Sequence, residues 1–542
     1  MQATSIGEAK NIAVQHYKAS HLKQAEKLCR EILQSEPKQP EALHLLGAIA
    51  YQRKQYNVAI ELIGKAIEGN PLKPQFHNTL GAALRAIGKF QEAIIAYQRA
   101  VSLKPDYAEA YNNMGNAFFS QRRYAEAVEK YNQAVSLNPD YIEAYNSMAV
   151  ALQYQGKYNA AIEKCNQALS LKPDYAEAYN TIASVLLKKG LNAEAIENYR
   201  QALRLKPDYA EAHINLGMAL LLNGRFEEGW AEYQWRLKAK KPTIYPHHYE
   251  LPYWDGTPFV GKRLLVHYEQ GLGDNIQFVR YLPMVKSRGG TVICEMLKPL
   301  IGLLRGFPGI DELIDASFDS KHAVKFDFYV PLLELPRIFG TTLETIPTEV
   351  PYLHADSAKA EYWQKKLVEY GRFACLCDSR GKTRQQANRP YKVGIVWAGK
   401  PAHTEDNNRS CPLHNFVPLS KIPGVHLYGL QKGKAAGQVK DLAGRISVTN
   451  LADELNDFTD TAGVIENLDL VISVDTAVLH LAGAMGKQAW AVLPFTPDFR
   501  WMLDRQDSPW YPTVRLFRQR RCGNWDDVFQ RVAGELKVLA GK

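Results

Sequence analysis

Pro37, Pro71, Pro105, Pro139, Pro173 and Pro207 stand 34 residues apart without a missed beat. A fixed period of that length constrains a fold more tightly than any local propensity. One period, residues 108–141, reads AEAYNNMGNAFFSQRRYAEAVEKYNQAVSLNPDY. In phase with the prolines come small residues: Gly47, Gly81, Gly115, Ala149, Ala183 and Gly217 early in each period, and Ala59, Ala93, Ala127, Ala161 and Ala195 later. Two antiparallel helices that cross closely need small side chains at the crossing, and a proline cannot continue a helix. Each period therefore predicts a helical hairpin closed by its proline. Residues 6–240 hold about six such units and a degenerate last one, NGRFEEGWAEYQWRLK, with Gly229 in place of alanine and no closing proline. That last unit is expected to cap the array onto the next domain.

The pattern resembles the tetratricopeptide repeat (TPR), and the resemblance implies a solenoid with a concave binding surface. Asn78, Asn112, Asn146 and Asn180 keep the same period beside the packing positions, and His44 stands at the equivalent place. Two readings are open for the asparagines. Their amides bond the backbone of an extended protein or peptide segment in the groove, or they are solvated polar positions of a duplicated unit.

After the connector KAKKPTIYPHHYELPYWDGTPF the pattern changes. Apolar runs of strand length (RLLVHYE, TVICEM, FDFYVPL, KVGIVWAG, VHLYGLQ, LDLVISVD, QAWAVLP) alternate with helical stretches. This alternation predicts parallel sheets of the doubly wound type. The polar, aperiodic stretch YGRFACLCDSRGKTRQQANRPYK separates two such sets. The expected fold class is thus α + α/β: a repeat solenoid over 6–240, a linker at 241–258, Rossmann-like domains at 259–370 and 392–515 with a linker at 371–391 between them, and a C-terminal segment and helix at 516–542. With 542 residues, several hydrophobic cores are expected.

Ligands of such sheets bind beyond the carboxyl ends of the strands, so three strand-to-helix corners are candidates. In HYEQGLGDNIQ, Gly271 and Gly273 permit a tight turn and close backbone approach, and Asp274 falls at the helix start. Asp274 is either a reactive carboxylate or a helix cap; Glu269 and His267 are reserve candidates. In VISVDTAVLHLAG, Asp475 and Thr476 close a strand, and the amides of Thr476, Ala477 and Val478 form an anion site with a helix dipole behind them, or the pair merely caps the helix. His480, four residues on, is a ligand contact or a core histidine. In WAGKPAHTEDNNRS, Lys400, His403 and Arg409, joined by Lys432 after another strand, are single surface charges or together a diphosphate pocket. Trp501, Trp510 and Tyr511 stack on a ligand or pack between domains.

Residues 259–542 resemble the two-domain GT-B glycosyltransferases, most closely the heptosyltransferase-like family, through GLGDNIQ and DTAVLHLAGAMG in that order. The resemblance implies that Asp274 is the general base and that Thr476 with its neighbouring amides holds the donor diphosphate. The final helix, WDDVFQRVAGELKVLA, is expected by the same likeness to dock on the first α/β domain. Repeats ahead of such a unit are similar in architecture to the protein O-GlcNAc transferases. The implied activity is inverting transfer of a sugar from a nucleotide-sugar donor to an acceptor hydroxyl, the acceptor a protein or peptide recruited by the repeats. Asp-x-Asp, the metal-binding tripeptide of the other large glycosyltransferase fold, is absent from the sequence, so neither a metal nor a cofactor is expected. A non-catalytic scaffold remains open, because Asn407 and Asn408 dilute the basic loop before Arg409, as does a transferase acting on lipid or polysaccharide acceptors.

The bulk properties agree with these expectations. A net charge of +9 spread along the chain suits an anionic small ligand and does not single out nucleic acid. Seven cysteines without a Cys-x-x-Cys pair suggest neither a disulfide framework nor a zinc site. No stretch approaches the roughly 18 apolar residues of a membrane span, and a cytoplasmic location is expected.

Overall fold

The computed structural model describes residues 6–239, 249–317, 324–375, 390–401 and 406–541. Among them the chain begins with seven helical hairpins: α1 (Ile6–Lys18) with α2 (Leu22–Ser35), α3 (Pro40–Gln52) with α4 (Tyr56–Gly69), α5 (Pro74–Ala86) with α6 (Phe90–Leu103), α7 (Ala108–Ser120) with α8 (Tyr124–Leu137), α9 (Ile142–Tyr154) with α10 (Tyr158–Leu171), α11 (Ala176–Lys188) with α12 (Asn192–Leu205), and α13 (Ala210–Leu222) with α14 (Phe226–Tyr233). The periodic prolines sit two residues past the second helix of each of the first six pairs, where α2, α4 and α6, for example, have just ended.

The small residues mark the crossings. A Cβ added at Gly81 would stand 2.6 Å from the Tyr97 ring, one at Gly115 2.6 Å from the Tyr131 ring, and one at Gly47 2.5 Å from Ile63. Each glycine leaves the space that a large side chain from the partner helix fills, so Tyr97 and Tyr131 are buried within the solenoid core. In the last hairpin both sides are glycine: a Cβ on Gly217 would meet the Tyr233 backbone nitrogen at 2.6 Å, and one on Gly229 the Leu221 side chain at 2.7 Å. The glycine-for-alanine exchange at 229 thus draws these two helices together backbone to backbone.

The chain divides into two compact units, residues 1–189 with 197–207, and residues 190–196 with 208–542. The hairpin α13–α14, continued by a 3-10 turn at Gln234–Lys238, therefore groups with the α/β part and not with the repeats before it.

The α/β part holds two parallel sheets. The first, in the order β3-β2-β1-β4, is built from β1 (Arg263–His267), β2 (Thr291–Met296), β3 (Glu312–Asp315) and β4 (Phe328–Pro331). The second runs β10-β9-β8-β5-β6-β7, from β5 (Tyr391–Val396), β6 (Val425–Gly429), β7 (Val448–Asn450), β8 (Leu470–Ser473), β9 (Ala489–Leu493) and β10 (Val514–Arg518). The chain reverses direction across each sheet beside its first strand, between β1 and β4 and between β5 and β8. These are the switch points at which doubly wound sheets open a crevice. Strands β3, β7 and β10 were not legible as apolar runs: ELID and VTN are short and only half-buried, and VRLFR alternates with arginine.

Three helices of this part matter below: α15 (Leu272–Phe278), which follows β1; α16 (Ser357–Cys375); and α17 (Phe458–Glu466). Helix α16 runs five residues beyond 370 and packs on α17, with Trp363 buried against Gly463 and Lys359 Nζ 2.6 Å from Asp460 Oδ1. Helix α18 (Ala477–Ala484) follows β8, and α19 (Trp525–Ala540) ends the described chain. The expectation that α19 docks on the first sheet is corrected by the structure. Val528, Phe529, Val532 and Leu536 are buried in the same core as Val393 and Ile395 of the second sheet, with the Phe529 ring 4.6 Å from that of Phe416. An apolar stripe specifies burial but not a partner, and a helix that follows β10 by a short connection folds back on its own sheet.

Candidate functional site

The first corner is shaped by residues around the glycines as much as by the glycines themselves. Gly271 is extended (φ −92°) and forms the N-cap of α15. The left-handed residue is Gln270, at φ 60°. Asn275 closes the loop: its Oδ1 accepts from Glu269 N at 3.2 Å, and its Nδ2 donates to Gly271 O at 2.7 Å and to Glu269 O at 3.2 Å. Asp274 stands at the third helical position, not at the cap. Its Oδ2 accepts from Gly271 N at 2.7 Å, the returning half of a capping box, while its Oδ1 accepts from Arg500. Gly273 serves close approach: a Cβ there would lie 2.8 Å from His480 Cδ2 and 3.4 Å from Ala477 Cα. The two helices that follow the two switch points, α15 and α18, therefore meet at their first turns.

At the second corner Thr476 is the N-cap of α18 but makes no side-chain cap; its hydroxyl pairs with Ser473 Oγ at 2.9 Å. Asp475 Oδ1 lies 3.6 Å from His480 Nε2, and His480 Nδ1 is 3.0 Å from the Tyr511 hydroxyl. Burial pushes the Asp475 carboxyl up, but the bond to His480 and the charges of His480, Arg409 and Arg500 together hold it below the ordinary carboxylate range. His480, only 4% exposed, is thus a buried bridge between Asp475 and Tyr511.

At the third corner, the single helical turn Asp406–Arg409 folds Arg409 over Gly399, where an added Cβ would lie 2.6 Å from its Nη2. Arg409 Nε, though buried, is 3.6 Å from Asp406 Oδ1 and makes no hydrogen bond among the described residues. Asp406 is held by Ser410 Oγ, which itself accepts from Gly399 N, both at 2.8 Å. Lys400 is exposed, and His403 lies outside the described residues. Lys432 donates to Ala452 O and Leu455 O, both at 2.6 Å, and so braces a neighbouring loop. Gln431, which the sequence did not single out, ties the ends of β5 and β6: its Oε1 accepts from Trp397 N at 3.1 Å and Ala398 N at 2.8 Å.

A residue from the segment after β9 reaches the first corner. Arg500, 5% exposed, donates through Nη2 to Asp274 Oδ1, through Nε to Gln277 Oε1 at 2.8 Å and through Nη1 to Asp498 Oδ1 at 2.7 Å. Burial works against its charge, yet Asp498 and Asp274 hold its pKa above the ordinary arginine value. A base candidate at the end of the first sheet is thus hydrogen-bonded to an arginine whose charge, after those of His480 and Arg409, adds to the lowering of Asp475. Nothing in the sequence marked Arg500 beyond its place among aromatic and basic residues, because its partner lies 226 positions away.

The reserve bases are occupied. Glu269 forms a two-pronged pair with Arg236, at 2.7 and 3.0 Å, and both are buried. Burial, with Glu334 and Asp274 adding to it, pushes the Glu269 carboxyl above its ordinary value in spite of Arg236. His267 is buried, with Nδ1 3.0 Å from Tyr268 O. Trp501, Trp510 and Tyr511 are buried too, and Trp510 O accepts from Arg280 Nη1 at 2.7 Å, which fits the packing reading.

In the repeats, Asn78 and Asn112 are 5% and 6% exposed. Each donates to the tyrosine that opens the next hairpin, Asn78 Nδ2 to Tyr107 and Asn112 Nδ2 to Tyr141, both at 3.3 Å. Asn78 Nδ2 also reaches Glu109 Oε1 at 3.0 Å, and its Oδ1 accepts from Asn113. The Oδ1 atoms of Asn112 and Asn146 are buried without a hydrogen-bond donor. Asn180 keeps the same place on α11.

Comparison with known proteins supplies an independent line. Residues 81–122, 115–156, 151–190 and 183–224 match the TPR repeat, and residues 18–100 match the family described as anaphase-promoting complex, cyclosome, subunit 3. Residues 423–521 match glycosyltransferase family 9 (heptosyltransferase). That span carries Lys432, Asp475, Thr476, Ala477, His480 and Arg500, and leaves Asp274 and Arg409 outside it. Protein FlbA of Caulobacter vibrioides (strain ATCC 19089 / CIP 103742 / CB 15) is 26% identical over 309 residues, 53% of this chain and 48% of that protein. The chain thus spans about half the length of the curated relative it matches. Among solved structures, MamA is 27% identical over 30% of this chain and 96% of its own, with a TM-score of 0.28. A thermophilic TPR protein of Thermus thermophilus is 23% identical over 34% of this chain and 99% of its own, with a TM-score of 0.31. The chain carries TPR repeats followed by a C-terminal domain of glycosyltransferase family 9. No described helix is long and apolar enough to cross a membrane.

Proposed function

We propose that the α/β part is an inverting, metal-independent glycosyltransferase of the GT-B type, which moves a sugar from a nucleotide-sugar donor to an acceptor hydroxyl. The acceptor is a protein or peptide that the repeats recruit. The reading is carried by one observation: Gly273, the residue before Asp274, packs against Ala477 and His480 in the first turn of α18, which sets the Asp274 corner beside the start of that helix. Transfer requires that the acceptor hydroxyl lose a proton while the leaving diphosphate is held as charge builds on it. Asp274 takes the proton. The amides that open α18, the Thr476 hydroxyl and the guanidinium groups of Arg409 and Arg500 receive the phosphates, with Lys400 at the exposed edge. Arg409 Nε, 3.6 Å from Asp406 Oδ1, makes no hydrogen bond among the described residues and so keeps a donor for an anion. When Arg500 turns to the phosphates, Asp274 Oδ1 is released for the incoming hydroxyl. In the repeats, the acceptor segment lies along the concave surface that stacked hairpins form.

The test uses two variants. Asp274→Ala is expected to lower sugar transfer at least a hundredfold while nucleotide-sugar binding survives. Thr476→Val with Arg409→Ala weakens that binding about tenfold or more, as calorimetry or a thermal-shift titration against nucleotide sugars would read. A second reading is favoured by the pairing of Asp274 with Arg500: if that pair is permanent, the unit binds a nucleotide sugar without turning it over, as a sensing scaffold. Retained binding with no turnover by the unaltered protein, across acceptors including lipid and polysaccharide, would decide for it.

A further inference from the structure

We infer that the last helical hairpin is a positioning element for Asp274: Tyr233 and Arg236 hold the 269–275 loop in the one shape that presents this carboxylate. The inference rests on the reading of Asp274 as the base. The loop contains an uncommon backbone conformation: Gln270 adopts φ 60°, where few residues with a Cβ are found. The side chain that bonds it there comes from the end of α14. The Gln270 Nε2 amide donates to the Tyr233 hydroxyl at 2.7 Å, and Tyr233 is only 4% exposed.

The adjacent residue is gripped from the same turn. Arg236 places its guanidinium on both oxygens of Glu269, at 2.7 and 3.0 Å, with Nη1 3.0 Å from Glu334 Oε2. All three side chains are 1% exposed. A carboxylate taken out of water is held only where its partner stands, because separation leaves an unpaired charge in the interior. Glu269 therefore stays where Arg236 puts it. From there the contacts run on without a gap. Asn275 bonds Glu269 N, Glu269 O and Gly271 O, and the Gly271 amide donates to Asp274 Oδ2. On the other side Trp230 meets the rings of Phe278 and Phe499 edge to face, at 6.4 and 5.8 Å, and the Arg500 guanidinium lies over Phe499 at 4.4 Å. The hairpin thus touches both the loop that carries Asp274 and the residue beside the arginine that binds it, while supplying no group to the chemistry. A base displaced by about an ångström loses on the order of a hundredfold in rate, which sets the scale of what the brace protects.

The test keeps the full chain and removes one hydroxyl or one amide. Tyr233→Phe leaves the aromatic packing in place, and Gln270→Ala removes the other half of the bond. Two readouts are taken: amide hydrogen exchange over residues 264–278 in the free protein, and hydrolysis of the nucleotide sugar that most raises the melting point among UDP-glucose, UDP-N-acetylglucosamine, GDP-mannose and ADP-glucose. Each variant should speed exchange in the loop about tenfold and lower kcat about five- to tenfold. The KM for the nucleotide sugar should stay within twofold and the melting point within a few degrees, and the double variant should be no worse than either single one. Unchanged exchange in both single variants overturns the inference, as does a kcat within twofold of the unaltered protein. Asp274→Ala serves as the separate control: full turnover in that variant sinks the base assignment, while loop exchange still decides whether the hairpin braces it.

Discussion

A single methyl group measures how tightly the two corners are joined. Gly273→Ala places a carbon 2.8 Å from the ring of His480, which is buried and tied at both nitrogens, so neither side can yield cheaply. The expected result is a loss of about 1–3 kcal/mol of stability by chemical denaturation, together with sugar transfer reduced far more than nucleotide-sugar binding. A second residue reports on pH. His44, packed on Phe76 with Nε2 2.9 Å from Thr79 Oγ1, is driven by burial to a pKa of about 4 from an ordinary 6.5, against a weaker pull from Glu41. Between those values the unfolded chain binds a proton that the folded chain refuses. The contribution is therefore complete above pH 6.5 and is lost as pH falls through the window, by about 1–2 kcal/mol at pH 5. Urea titrations at pH 7 and 5, with His44→Gln as the control that flattens the difference, check it. At this scale the sequence placed Asp274, Asp475 and Thr476 at strand-to-helix corners, where they stand, because short motifs at strand ends are local. Arg500 and Gln431 stayed hidden because their partners are distant in the chain, and the strained residue proved to be Gln270 instead of either glycine beside it.

Among elements, the crossing glycines carry a comparable lesson. Gly115→Ala would press a carbon to 2.6 Å from the Tyr131 ring, buried in a solenoid core that has no room to move it. A loss of about 1–3 kcal/mol is expected, read as a lower thermal midpoint of the helical signal; Gly64→Ala, inside α4 with open space around it, is the comparison and should gain about 0.5–1 kcal/mol. The hairpins were legible because a 34-residue period repeats the same packing solution many times. Strands β3 and β7 were not, since three or four half-buried residues leave no alternation to read. The partner of α19 was misjudged for a different reason: its stripe of Val528, Phe529, Val532 and Leu536 fits any apolar face, and chain connectivity chose the nearer one.

For the whole molecule, the order of solenoid and then parallel sheets followed from a change of period near residue 250, where helical repeats give way to strand-length apolar runs. The grouping of α13–α14 with the sheets could not be read that way, because the last hairpin still carries the repeat's pattern. A chain beginning at Gly190 keeps every residue of the second compact unit. It is expected to bind the nucleotide sugar with unchanged affinity and to hydrolyse it slowly, while transfer to a protein acceptor falls at least tenfold; calorimetry and acceptor-labelling assays measure the two. Since the final hairpin belongs to the sheets, the boundary between the compact units falls inside the repeat pattern, and inserting or deleting one whole 34-residue period ahead of Lys189 leaves every residue around the 269–275 loop in place.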